Sequence, residues 1–84
     1  MGSYGRIRIS EIKRMLDECA EGYEWVDSKP HNFQVKWKDK TYPSLPKGEH
    51  GKSASKIEIE RGHVRKMARF FDILDCAKKA LEQL

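Results

Sequence analysis

Nowhere in the 84 residues is there an unbroken apolar run of eighteen, so no membrane-crossing helix is expected. The first five residues, Met1-Gly2-Ser3-Tyr4-Gly5, also lack the apolar stretch of a secretion signal, and the cytoplasm is the expected compartment. Cysteine is scarce: only Cys19 and Cys76 occur, with no CxxC pair and no disulfide ladder. Both fall at positions whose periodicity is helical and apolar-facing. Reduced core thiols are therefore expected, with a bridge as the alternative, and inward-facing thiols argue against a cysteine–histidine hydrolase. Without CxxC or HxxxH spacing, no metal site is expected, and without a Gly-rich phosphate loop no nucleotide cofactor is.

What is present is charge. Charged residues make up 36% of the chain and apolar ones 38%, enough for one domain with a thin core. Lys and Arg number 17 against 13 Asp and Glu, a net charge of +4 that favours a polyanionic partner. A merely solvated surface would show the same total, so the placement of the charges has to decide.

Ile12, Met15, Leu16, Cys19 and Ala20 recur with helical spacing and predict a helix over Glu11–Glu21, capped by Ser10 and stopped by Gly22. Residues 1–9 are expected to be flexible. Tyr23 to Val26 reads as a short strand. Asn32 to Trp37 alternates strictly, with Phe33, Val35 and Trp37 on one face, and is the clearest strand. Lys38-Asp39-Lys40 suits a hairpin into a third strand, Thr41 to Leu45, which Pro43 confines to an edge. Residues 46–56 read as a long surface loop, and the Ile57-Glu58-Ile59-Glu60 alternation, which suits either an extended segment or the start of a helix, is assigned to the approach to the next helix. Val64, Met67, Ala68 and Phe71 form a second helical stripe, and Ala77, Ala80, Leu81 and Leu84 a third after a cap at Asp75. The expected fold is thus α+β: helix, three-stranded antiparallel sheet, helix and short C-terminal helix, with the helices on one face of the sheet.

Histidine can accept and donate a proton near neutrality, and the chain has His31, His50 and His63. His31 precedes the best strand, where a sheet would hold it in place. His50 lies in the long loop, and His63 at the start of a helix whose N–H groups attract phosphate. Each is otherwise an ordinary exposed residue. Arg61, Arg65 and Arg69 are four apart, a cationic stripe along one helix, and Lys36, Lys38 and Lys52 add positive charge from hairpin and loop. Pairing of those arginines with Glu58, Glu60 or Asp72 is the competing account. Tyr42 and Trp25 are candidates for stacking on bases, whereas the alternation assigns Trp37 to the core.

The ordered set Gly22-Tyr23, Pro30-His31-Asn32-Phe33, Leu45-Pro46, His50-Gly51-Lys52 and Gly62-His63-Val64-Arg65-Lys66-Met67 resembles the HicA family of mRNA-cleaving toxins over about residues 10–73. Residues 74–84 form an addition, and Lys29-Pro30 stands where the family commonly has Gly-Ser. The resemblance implies a fold like that of double-stranded-RNA-binding domains and metal-independent mRNA cleavage with His31 as the catalytic histidine. It also implies a HicB-like antitoxin partner. The expected RNA contacts are Lys36, Lys38, Lys52, Arg61 and Arg65, with His50 as an auxiliary group and no cofactor. Two other classes stay open: a non-catalytic RNA-binding module of the same fold, which would retain RNA without cutting it, and a structural or protein-interaction domain, which would not retain RNA at low salt.

Overall fold

The computed structural model describes residues 5–27, 30–46, 57–82 and 84. Its elements are strand β1 (Arg6–Arg8), helix α1 (Ile9–Cys19), strands β2 (Glu24–Val26), β3 (Asn32–Trp37), β4 (Lys40–Pro46) and β5 (Glu58–Glu60), and helices α2 (Arg61–Phe70) and α3 (Leu74–Ala80). The α+β layout is the expected one, with a three-stranded antiparallel sheet in the order β2-β3-β4.

A second sheet departs from expectation. β1 pairs antiparallel with β5, placing Ile7 opposite Ile59 on the buried side and Arg6 and Arg8 opposite Glu60 and Glu58. Arg6 to Arg8 thereby belongs to a sheet, and the Ile57-to-Glu60 approach to α2 takes the extended form, with Glu58 to Glu60 as its strand. Both strands run directly into helices, which changes how those helices begin. The N–H of Ile9 donates to Ile57 O at 3.3 Å and that of Arg61 to Gly5 O at 2.6 Å, so the ribbon supplies acceptors that a cap would otherwise provide. Ser10 accordingly lies inside α1, whose N-cap is Arg8 without a side-chain bond.

α1 buries Ile9, Ile12, Met15 and Leu16, as its spacing requires. Gly22, at φ +91°, turns the chain into β2, a left-handed conformation in which glycine is the cheapest residue. Along β3, Phe33 and Val35 are buried while Lys36 is exposed, and Lys38-Asp39 closes a two-residue hairpin to β4. The register slips by one between Phe33 and Val35, so Pro43 and Ser44 together oppose Gln34. This bulge removes Pro43 from the ladder and resets the side-chain parity, which is how Tyr42 and Leu45, three apart, both reach the core.

α2 buries Val64, Met67 and Ala68 and ends in a Schellman motif. Ile73 N–H donates to Ala68 O at 2.9 Å and Asp72 N–H to Arg69 O at 3.0 Å, with Asp72 left-handed at φ +61°. α3 starts from Ile73 rather than from a cap at Asp75, and packs Ala77 and, just beyond its end, Leu81 into the same core. Contrary to the expected core thiols, Cys19 is half-buried, Cys76 is exposed, and the two are joined in a disulfide with Cα atoms 5.7 Å apart. The bridge ties the end of α1 to α3, a juxtaposition across 57 residues that periodicity cannot reveal. No helix among the described residues is long and apolar enough to cross a membrane.

Candidate nucleic-acid interface

The Asn32–Pro46 pair is the first rung of the β3–β4 ladder, and His31 stands immediately before it. Its side chain is exposed, so a sheet end fixes its backbone while the imidazole faces solvent. The chain leaves β4 at this same end. His50 and Lys52, proposed from sequence as auxiliary and RNA-contacting groups, lie outside the described residues.

The cations are distributed differently from the single patch that the hairpin and helix suggested. Lys38 sits at the far end of β3 from His31, and β3 alone spans about 17 Å. One phosphate cannot touch both. Lys36 is exposed on the solvent face, with Glu24 as its neighbour across β2. The Nζ of Lys38 lies 4.4 Å from the centroid of the Trp37 ring, a cation–π contact.

On α2, Arg61, Lys66 and Arg69 are exposed, but Arg65 is half-buried. Its Nη2 donates to Leu84 O at 2.9 Å and its Nε is buried without a hydrogen bond. Arg65 thus holds the residues after α3 instead of facing solvent with its neighbours. Helical spacing shows which side of α2 it occupies, not that a further helix covers that side. Of the acidic residues beside this stripe, Glu58 faces Arg8 at 3.9 Å, and Glu60 faces His63 at 3.5 Å, an ion pair when that imidazole is protonated.

One aromatic candidate is reassigned as well. Tyr42 is buried edge-on against Phe70, centroids 5.4 Å apart, and burial raises its phenol pKa, so it is a core residue and not a stacking platform. Trp25 packs against Phe33 at 4.9 Å with Lys13 over its ring. Trp37 meets Phe71 edge-on at 6.1 Å, and its indole N–H donates to Glu21 O at 3.0 Å. Lys40, which with Lys36 and Lys38 extends positive charge along the hairpin, donates from Nζ to Phe70 O at 3.4 Å and so caps the C-terminus of α2. Its adjacency to Lys38 in the turn was visible in the sequence; the helix end it meets was not.

Among the described residues, no three His, Cys, Asp or Glu side chains gather as metal ligands. No protein-family model, curated protein or solved structure matches the chain.

Proposed function

We propose that the chain is a HicA-like mRNA interferase in which His31 is the general base. The observation that carries this reading is the exposed imidazole at the anchored start of β3. His31 takes the proton of a ribose 2′-hydroxyl, and the freed oxygen attacks the adjacent phosphorus. The bond to the 5′-oxygen breaks, that oxygen leaves with a proton from a general acid, and the products are a 2′,3′-cyclic phosphate and a 5′-hydroxyl. The nucleophile belongs to the RNA, so the step calls for no metal-activated water. Lys36, Lys38 and Arg61 hold phosphates along the strand, Lys52 is retained as an expected contact, and His50 as an auxiliary group. A HicB-like antitoxin, the partner expected of this family, would neutralise the activity in the cytoplasm.

The test is cleavage of end-labelled mRNA by purified wild type and His31→Ala. A loss of about 10²–10⁴-fold with unchanged thermal stability is expected. Equal cleavage by both proteins removes His31 from the mechanism. The wide separation of His31 from Lys38 favours one competitor, a non-catalytic RNA-binding module, which predicts salt-dependent retention of RNA and no cyclic-phosphate product from either protein.

A further inference from the structure

Where the β3–β4 turn meets the end of α2, Trp37, Lys38, Asp39, Lys40, Phe71 and Asp72 enclose an open cavity of about 240 Å³. That is slightly below the size of pockets that take drug-sized ligands, and suits a single planar heterocycle. Two features set it apart from an ordinary seam between elements.

The first is backbone conformation. Among the described residues, only Lys38 (φ +57°) and Asp72 (φ +61°) are non-glycine residues in the left-handed region, and both line this cavity. Glycine is the cheapest residue at each: the first position of a two-residue hairpin turn and the residue after a helix C-cap. The chain instead carries an ammonium and a carboxylate there, and strain of this kind gathers where side chains have work to do. The second is the lining. Trp37 is oriented by its N–H bond to Glu21 O, with Phe71 edge-on beside the ring and the Lys38 ammonium 4.4 Å from its centroid. A cation–π contact at an exposed site is weaker than stacking of a base on an aromatic ring, so a base can displace that ammonium, which is then available to a phosphate.

We propose that this cavity binds a guanine base bearing a phosphate, with the base on Trp37, its phosphate on Lys38 and Lys40, and its Watson–Crick edge donating to the carboxylates of Asp39 and Asp72. Guanine presents an N1–H and an amino group side by side, which matches a carboxylate's two oxygens. Adenine and cytosine offer the amino donor alone, and uracil a single N–H. The guanine arrives either as an unpaired residue of an RNA or as a free nucleotide. The RNA source rests on the RNA-handling reading above, whereas the pocket itself does not.

The experiment titrates the oxidised wild-type protein with GMP, AMP, CMP and UMP and follows the two indole N–H resonances by NMR. Trp37 is expected to shift with GMP at least tenfold more tightly than with the other three, and Trp25 to stay still. Asp72→Gly and Lys38→Gly are then compared with wild type. Relief of backbone strain is expected to raise the Tm of Asp72→Gly by about 4 °C and to leave Lys38→Gly no less stable. GMP affinity is expected to fall at least tenfold in both. Gain of stability with loss of binding is a combination that a purely structural role does not produce. Equal affinity for all four nucleotides, or GMP affinity undiminished in both variants, overturns the proposal. A cytidine oligomer with one central guanosine that binds more tightly than the all-cytidine oligomer identifies RNA as the source. Equal binding of the two oligomers, with GMP binding intact, identifies the free nucleotide. GMP binding by His31→Ala stays at the wild-type level, so a failure of the nuclease reading is separable from a failure of this one.

Discussion

Arg65 donates from Nη2 to the backbone oxygen of Leu84 at 2.9 Å, and this single bond takes one arginine out of the cationic stripe on α2. Each phosphate contact on single-stranded nucleic acid adds about 0.7 to the slope of log K against log salt. Arg61→Gln and Lys36→Gln are therefore each expected to lower the slope of RNA binding by about 0.7, and Arg65→Gln to leave it unchanged. The Arg65 variant should instead lose about 1 kcal/mol of stability, since the partner oxygen can be rehydrated once the bond is gone. Salt titrations of all four proteins with one fluorescent oligonucleotide, paired with thermal melts, separate the roles. A slope reduced in Arg65→Gln as much as in Arg61→Gln would return Arg65 to the RNA contacts.

The Cys19–Cys76 bridge governs how firmly α3 is held. Closing a loop of 57 residues removes chain entropy from the unfolded state equivalent to about 4 kcal/mol. For a domain of this size that corresponds to a Tm difference of about 15–30 °C. In a reducing compartment α3 would rely on its apolar packing, on Arg65 and on the long Arg14 contact to Ala80 O at 3.5 Å. Melts with and without a phosphine reductant should show the difference, and Cys76→Ser should melt like the reduced wild type and be insensitive to reductant. Identical melts for oxidised and fully reduced protein would mean that the bridge contributes nothing measurable.

The two pairings discussed above also show where local pattern stops being informative. Helical and strand periodicities were legible because each records which side of one element is buried: Met15 and Leu16, Phe33 and Val35, Val64 and Met67 all face the core as their spacing requires. The β1–β5 ribbon was not, because three-residue strands are too short to show a period, and Ile7 and Ile59 find each other only in three dimensions. The same holds for Arg65. Its place on α2 was readable, but the coverage of that side comes from residues some twenty positions later. At the candidate site, the exposure of His31 agrees with its place after Pro30 and before a ladder. Its distance from Lys38 was implicit in the length of β3 itself, since a strand separates what stands before it from what stands after it.

Two phenols make stability fall in alkali. Burial raises the pKa of Tyr42, and burial, the Asp17 charge and a hydrogen bond to the Asp17 carboxylate raise that of Tyr23, both from an ordinary value of 10.0. A group whose pKa is higher in the folded state binds its proton more tightly there, so its contribution is fully present below pH 10 and is lost as pH climbs through the raised folded value. Unfolding free energy measured in urea should accordingly decline above pH 10, and Tyr42→Phe and Tyr23→Phe should each reduce that decline. Asp17→Asn should act on the Tyr23 component alone, because Asp17 contributes to the shift at Tyr23 and not at Tyr42. Lysines titrate in the same range, so the informative quantity is the difference between each variant and wild type. Curves that run parallel across the alkaline range would show that neither phenol is coupled to folding.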